Sequence, residues 1–346
     1  MRAFVVTAPF EAGVYEVDPP VPGAGDVVID VERVGVCGTD VDFYTGEMQY
    51  LHDGDAHYPM RLGHEWSGTV RDVGVGVDHS WIEQRVMGDT MLGCGECHRC
   101  TNSLQHVCEF RHEVGIRRGF AGALAEQIVV PASSLHRLPP RVDAALGALV
   151  EPGGNALRAV WGADLNRGDR LLILGPGTIG LLCAYFAKAR GAEVHLMGRS
   201  TSSLDFARSI GIEGCWTNEN LPDLAFDAVI DASNDASLPA QALELVEPGK
   251  RVVFIGIAGT PSLLDTRIQV LKDVTSVGIL SGSPGLAATI DLYESGTVDP
   301  RPLIAMTTDL GGVAAILAGE RPRGAGPGPK FHVDPRVGAP TTHAAP

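Results

Sequence analysis

Four cysteines lie close together in the chain, at a spacing typical of a metal site. They are Cys94, Cys97, Cys100 and Cys108. Zinc prefers four soft ligands in a tetrahedron, and two-residue gaps allow successive thiolates to face one centre. Because a complete thiolate set leaves no position for a substrate, we predict a structural zinc site. An iron–sulfur cluster would use the same four thiolates and is the alternative.

A second set of possible ligands lies nearer the N-terminus. Cys37 begins the run Cys37-Gly38-Thr39-Asp40, and the run Gly63-His64-Glu65 follows later. Thiolate, imidazole and carboxylate groups all bind zinc, and three protein ligands with an open fourth position make a catalytic site. Each residue alone is weak evidence, since a single cysteine is more often a small buried apolar side chain.

A glycine-rich loop is the third chemical signature. The apolar run 171–174 predicts a buried strand, and the sequence that follows it fits G-x-G-x-x-G. Glycines permit a tight turn and a close approach of the backbone to a pyrophosphate, which the next helix N-terminus faces. The loop therefore predicts a dinucleotide site formed by Gly175, Gly177, Thr178, Ile179 and Gly180.

The end of the next predicted strand bears on the choice of dinucleotide. Enzymes that use NAD usually place an acidic residue there, on the ribose hydroxyls. This chain has Gly198, Arg199 and Ser200 instead. Arginine pairs well with phosphate, so we predict that NADP(H) is preferred and that NAD(H) remains usable. The alternative is that Arg199 is an ordinary surface residue.

The elements that must position these groups fall into two patterns. Residues 1–152 show short β-type runs separated by glycine and proline, which predicts a β-rich, barrel-like domain. Residues 153–294 alternate apolar strands with helices, which indicates a doubly wound parallel sheet, an α/β architecture. We expect residues from about 295 to 346 to return to the first domain and to end in a disordered tail from 335.

These features resemble one known family, the zinc-dependent medium-chain alcohol dehydrogenases. The run from Gly63 to Gly68, followed by Gly74 and Val77, matches that family's zinc signature. The runs 36–40 and 149–152 and the four-cysteine segment are also similar, and the resemblance extends from Met1 to about Pro335. It is closest to the polyol, threonine and sugar dehydrogenases. It implies a GroES-like barrel domain joined to a Rossmann domain.

The resemblance also implies roles for individual residues. Cys37, His64 and Glu151 would surround a catalytic zinc, and Glu65 would be an exchangeable or outer ligand. Thr39 would hydrogen-bond the substrate oxygen. Where relatives often carry a relay histidine, this chain has Asp42, whose ordinary pKa of ~3.9 is far below that of histidine. Asp42 could relay protons, bind a substrate hydroxyl or face solvent, and His52 or His57 could substitute for it.

The resulting hypothesis is a zinc-dependent oxidoreductase that transfers hydride between a secondary alcohol and a nicotinamide cofactor. A polyol, sugar or cyclitol is favoured as substrate by the Glu151-type site and by the polar run 53–57. The resemblance also places Glu113 where sugar-oxidising relatives carry polar substrate contacts, and the alternative is that Glu113 is an ordinary surface residue. A zinc-free enoyl or quinone reductase would not need Cys37, His64 and Glu151. A dinucleotide sensor without catalysis would be expected to have lost these ligands or the glycine loop.

Charge and composition restrict the partners. The formal net charge is −15, which disfavours binding to the phosphate backbone of nucleic acids. The uncharged run 171–187 includes Gly-Pro-Gly and is better interpreted as strand, turn and helix than as a membrane span. We expect a cytoplasmic protein with a small-molecule substrate, assembled as a homodimer or homotetramer.

Overall fold

Two large β-sheets organise the chain. The computed structural model describes residues 1–338 together with the backbone of His343–Ala344. In chain order the strands are β1 (Arg2–Ala8), β2 (Glu11–Glu16), β3 (Asp26–Val36), β4 (Glu65–Val73), β5 (Arg85–Gly88), β6 (Met91–Leu92), β7 (His112–Glu113), β8 (Gln127–Pro131), β9 (Leu135–Arg137), β10 (Arg170–Leu174), β11 (Glu193–Met197), β12 (Gly214–Trp216), β13 (Phe226–Asp231), β14 (Val246–Phe254), β15 (Thr275–Gly278), β16 (Ile304–Thr308), β17 (Lys330–Val333) and β18 (His343–Ala344).

Helices connect and cover these strands. The α-helices are α1 (Gly38–Thr45), α2 (Gln49–Asp53), α3 (His98–Thr101), α4 (Ala144–Ala148), α5 (Val150–Gly162), α6 (Thr178–Ala189), α7 (Thr201–Ser209), α8 (Leu238–Leu245), α9 (Thr266–Leu271), α10 (Leu286–Glu294) and α11 (Val313–Leu317). Short 3-10 helices lie at His79–Trp81, Gln105–Val107, Ala132–Ser134, Asn218–Asn220, Ser283–Gly285, Arg301–Leu303 and Leu310–Gly312. Within the described part of the chain, no helix is both long enough and apolar enough to cross a bilayer.

The first sheet forms the β-rich half. Its order is β16-β17-β3-β4-β5-β9, and β8 pairs with β3 beside this path. The long strand β3 carries alternating apolar residues, so it buries one face in a core that includes Phe43, Leu62 and Trp66. Strand β17 pairs antiparallel with β3, placing His332 opposite Gly35. Strands β16 and β17, from the C-terminal part of the chain, thus belong to the first sheet.

The second sheet has the order β12-β11-β10-β13-β14-β15, and its strand pairs are parallel. This is the 3-2-1-4-5-6 order of a Rossmann fold, so the expected architecture is confirmed. Its central strands β10 and β13 are almost fully buried, as expected for strands covered by helices on both faces.

The predicted boundary between the two domains does not coincide with the end of a helix or strand. The boundary predicted between residues 152 and 153 falls inside α5, which begins at Val150 and packs against α6 and α10. The helix that carries the motif residue Glu151 in its first turn therefore belongs to the helical layer of the second sheet. Of the expected disordered tail, His343–Ala344 instead pairs with β2, whereas 339–342 and 345–346 lie outside the described residues.

Candidate metal and dinucleotide sites

Three predicted ligands come together where β3 ends and β4 begins. The ligand atoms of Cys37, His64 and Glu65 all lie within 4.8 Å of one another. The register between β3 and β4 explains why these ligands lie close together, because Gly35 at the end of β3 is opposite Glu65 at the start of β4. A Cβ atom at Gly35 would lie 2.1 Å from Glu65 Oε2, so only glycine leaves room for that carboxylate. One thiol, one imidazole and one carboxylate form a donor set that suits zinc.

Asp40 holds two of these ligands in place from the first turn of α1. Its carboxylate is fully buried and accepts hydrogen bonds from the backbone N–H groups of Cys37 (2.9 Å) and Gly63 (3.3 Å). Its Oδ1 also lies 3.6 Å from His64 Nδ1. Burial disfavours a charged His64, but the Asp40 carboxylate and the Cys37 thiol outweigh it, so the pKa of His64 is raised well above its usual value. Metal binding at this site would therefore release protons.

The third ligand, Glu65, is paired with a lysine from the far end of the chain. Lys330 on β17 donates to both Glu65 oxygens, at 2.8 and 2.7 Å, and to the Val36 carbonyl at 2.9 Å. Both side chains are buried, and all three ammonium donors are used. The sequence analysis missed Lys330. The only signal was a lysine opening the last apolar strand, which is also common at exposed strand ends.

Glu151 lies apart from this group of three. It sits in the first turn of α5, is buried, and accepts a hydrogen bond from Asn155 Nδ2 at 3.0 Å. Burial raises the pKa of Glu151 to about 7, against the opposing effect of nearby His64. Glu151 is therefore close enough to His64 to interact with it electrostatically, and its assignment as a ligand stays a prediction.

Thr39 and Asp42 lie on the helix that starts at the metal cluster. Thr39 Oγ1 is 3.8 Å from Cys37 Sγ. Asp42 is three residues further along α1, so the two side chains share a helix face. Burial, and then the negative charges of Glu47 and Asp40, raise the pKa of Asp42. His52 is exposed at the end of α2. His57 lines a cavity that none of Cys37, His64 and Glu65 lines.

Glu113 is held by protein groups and not left free for a ligand. It is buried and accepts hydrogen bonds from Arg111 Nε (2.8 Å) and Tyr50 Oη (3.2 Å). In the same region, Asp55 is paired with Arg117 and Arg118. These contacts tie the polar segment 49–57 to the loop after β7.

The four-cysteine segment forms a second compact ligand group. The sulfur atoms of Cys94, Cys97, Cys100 and Cys108 lie within 4.8 Å of one another, and all four cysteines are free thiols. Burial disfavours a Cys108 thiolate, but the backbone N–H groups of Cys94 and Phe110 donate to it, and its pKa falls to about 6. Such N–H···S bonds stabilise thiolate ligands, so this donor set fits a tetrahedral metal ion.

The glycine loop adopts the geometry that its pattern predicts. Gly175 has a φ of +104°, and a Cβ atom at Gly180 would lie 1.9 Å from the Gly175 carbonyl oxygen. Gly177 is the residue before α6, and a Cβ there would meet nothing within 4 Å. The first and third glycines are thus needed for the turn and its packing. The second faces open space at the helix N-terminus, where a pyrophosphate could approach.

The residues after β11 lie beside this loop. A Cβ atom at Gly198 would be 2.6 Å from Pro176 Cγ, so glycine is required there for packing, whatever its effect on the cofactor. Arg199 is 88% exposed, and its NH1 lies 3.6 Å from Asp235 Oδ2. Ser200 caps the N-terminus of α7. The Arg199 guanidinium therefore stays largely available to a ligand.

Comparisons with known proteins agree with this architecture. Residues 23–140 match the model for an alcohol dehydrogenase GroES-like domain, and residues 178–295 match that for a zinc-binding dehydrogenase. The chain is 32% identical to 2-dehydro-3-deoxy-L-galactonate 5-dehydrogenase of Pseudoalteromonas atlantica, over 86% of this chain and 88% of the relative.

Two solved structures show the same fold. An alcohol dehydrogenase (rspB) of Escherichia coli CFT073, complexed with NADH, has a TM-score of 0.88 at 26% identity, covering 96% of this chain and 99% of that one. A Sinorhizobium meliloti 1021 protein classed as a zinc-binding dehydrogenase and bound to NADP has a TM-score of 0.86 at 25% identity, with the same coverage.

A GroES-like barrel, a Rossmann sheet and a Cys-His-Glu cluster together define a zinc-binding dehydrogenase. The similarity extends over most of the chain, and both family models match it in the expected order. The chain belongs to the zinc-dependent alcohol dehydrogenase family, a family of oxidoreductases.

Proposed function

We propose that this protein interconverts a secondary alcohol and a carbonyl compound, using zinc and a nicotinamide dinucleotide. The observation that carries the proposal is the meeting of Cys37, His64 and Glu65, in a chain that also contains an intact dinucleotide loop. Bound zinc would supply a Lewis acid that lowers the pKa of the alcohol, and a bound nicotinamide would supply the hydride acceptor.

The chain's own residues would bind the substrate and move its proton. Thr39, two residues after Cys37, would accept a hydrogen bond from the alcohol hydroxyl. Asp42 would take the proton onward along the exposed side of α1, and its raised pKa brings it closer to the range useful for proton transfer. Glu151 would complete the ligand set from the Rossmann side, or would hold a water molecule in the fourth position.

The substrate class that we propose is a polyol, sugar or sugar acid. The relative from Pseudoalteromonas atlantica is named for a sugar-acid substrate. The segment around α2 is also polar and tied down by ion pairs, through Asp55 to Arg117 and Arg118. We place this segment beside the substrate, where a polyhydroxylated molecule would gain hydrogen bonds that a long apolar alcohol cannot make.

For the cofactor, we propose NADP(H) in preference to NAD(H). No acidic residue ends β11, and Arg199 extends from that end with most of its surface exposed. The two solved relatives were bound to different dinucleotides, one to NADH and one to NADP. The preference between NAD(H) and NADP(H) therefore depends on this chain's own residues at the end of β11.

We also propose that two copies of the chain associate along the edge of the Rossmann sheet. Strand β15 is the last strand of that sheet, and large apolar side chains nearby are exposed: Ile257, Leu263, Val270 and Leu271. An exposed edge beside apolar residues favours association with another chain. The substitution Leu271→Glu should convert the assembly to a smaller species in light scattering, whereas Val75→Glu, at an exposed valine in the turn after β4, should not.

One assay tests the proposed reaction. The purified protein is analysed for zinc and then supplied with polyols, aldoses, sugar acids and amino alcohols, with NADP and with NAD. We expect zinc, and cofactor reduction with at least one polyhydroxylated substrate, which Cys37→Ser should abolish while dinucleotide binding persists. Undiminished turnover in Cys37→Ser would contradict the proposal and favour a zinc-free reductase.

A further inference from the structure

A cavity of about 320 Å³ opens on the β-rich half of the molecule. It lies between the segments 56–61 and 116–121, and its walls are mostly apolar. The lining includes Val5, Val17, Met60, Ile116 and Phe120, and two polar side chains, Arg61 and His57, also reach it. No residue of either cysteine-containing ligand group or of the glycine loop lines it.

Strand pairing determines which way Arg61 points. Val6 and Met60 form a pair of mutual backbone hydrogen bonds, each of 2.9 Å, so Val5 and Arg61 are direct cross-strand neighbours. Side chains of such neighbours lie on the same face. Leu62, the next residue, is fully buried in the barrel core. Arg61 therefore lies on the face opposite that core, together with Val5 and Val17.

Arg61 has no counter-ion within the described residues. Its Nε atom is buried without a hydrogen-bond partner, and its guanidinium takes part in no ion pair there. Burial alone lowers the pKa of Arg61 to about 10, and no carboxylate acts against this. The residue as a whole is half-buried, but its Nε is shielded from water, and a partly desolvated charge without a partner favours binding of an anionic group.

Neighbouring arginines differ from Arg61, because each of them is paired with a carboxylate. In the adjoining loop, Arg117 and Arg118 pair with Asp55, and Arg111 pairs with Glu113. Asp55 and Glu113, two carboxylates of this region, are thus paired with other arginines. Arg61 instead reaches a cavity with mostly apolar walls.

We propose that this cavity binds a small organic acid with an apolar body, whose carboxylate pairs with Arg61. A guanidinium forms two parallel hydrogen bonds with a carboxylate, and the apolar walls would enclose the hydrocarbon part. The site is separate from the zinc and dinucleotide sites, and its occupation does not depend on the proposed reaction.

Calorimetric titration of the full-length, zinc-loaded protein with octanoate tests the proposal. Octan-1-ol, with the same chain but no charge, and acetate, with the charge but no chain, are the comparison ligands. We expect one octanoate per chain, bound more tightly than either. Arg61→Met keeps the apolar stem and removes the charge, so it should weaken octanoate binding about tenfold or more. Arg71→Met removes an exposed arginine on β4 and should leave binding unchanged.

Two further variants keep the result interpretable. Val17→Trp adds bulk to the cavity wall, retains Arg61, and should also abolish octanoate binding. Cys37→Ser should bind octanoate like wild type, because the cavity is separate from the zinc cluster. The proposal is overturned if wild type does not bind octanoate, if Arg61→Met and Val17→Trp bind it normally, or if Cys37→Ser loses binding.

Discussion

Two lysine–carboxylate pairs in this molecule have the same length and differ mainly in burial. Lys330 and Glu65 lie 2.7 Å apart with side chains only 3% and 2% exposed. Lys250 and Asp227 also lie 2.7 Å apart, but their side chains are 40% and 30% exposed. Water screens the second pair and not the first. We therefore expect Lys330→Met to cost about 3–5 kcal/mol of unfolding free energy, because it leaves a buried charge unpaired. Lys250→Met should cost about 1 kcal/mol or less.

The double variant Lys330→Met/Glu65→Gln separates the charge interaction of the pair from the packing of its two side chains. Removing both charges leaves no uncompensated ion, so the double variant should be more stable than Lys330→Met alone. Zinc adds a second test, since a metal ion beside Glu65 would take over part of the compensation. The cost of Lys330→Met should therefore be larger after chelation than in the zinc-loaded protein.

The pH dependence of this effect has a definite sign. Burial disfavours a charged Lys330, but Glu65 outweighs it, so the pKa of Lys330 is raised above its usual value. The pair then contributes its full stability below the pKa of an unfolded lysine, ~10.4, and loses it as pH rises through the folded pKa. Urea unfolding of the variants at neutral and alkaline pH measures this. Equal costs for Lys330→Met and Lys250→Met at neutral pH would refute the reasoning.

Further predictions concern the other sites. Arg199→Met should weaken NADP(H) binding about ten- to a hundredfold and leave NAD(H) nearly unchanged, and fluorescence titration with both dinucleotides would show no difference if Arg199 only faces solvent. Gly180→Ala should abolish binding of both dinucleotides through its clash with the preceding turn, whereas Gly177→Ala should be milder in the same titration. Cys94→Ser should release zinc and lower the thermal midpoint more than it changes kcat of the protein that stays folded. Asp42→Asn should lower kcat by about tenfold or more and remove the acidic limb of its pH profile, and an unchanged profile would exclude Asp42 from proton transfer.

The sequence allowed the local parts of these sites to be predicted, because their chemistry depends on spacing. The four cysteines span fifteen positions, from Cys94 to Cys108, and the glycine loop lies within six. Both patterns act within one turn or loop, so tertiary structure adds little to them. The same holds for the alternation of strands and helices that predicted the Rossmann sheet.

Contacts between distant segments could not be predicted in this way. Lys330 meets Glu65 only because β17 pairs with β3, and a short strand near the end of a chain does not reveal its partner. Gly198 was considered only as part of the segment that lacks the usual acidic residue, yet a Cβ atom there would meet Pro176 in the glycine loop. In both cases the meaning of a residue depends on a neighbour that is far away in sequence.

The pairing of β17 with β3 has a consequence for the order in which the site is made during protein synthesis. Glu65 and its cation are 265 residues apart, and the whole Rossmann sheet is made between them. At ordinary translation speeds, roughly 10–50 s pass before Lys330 is added to a chain that already contains Glu65. During that interval the emerging sheet lacks β17, and the Glu65 carboxylate stays hydrated until its lysine is made. Burial of Glu65 beside a cation therefore has to wait for the last part of the chain.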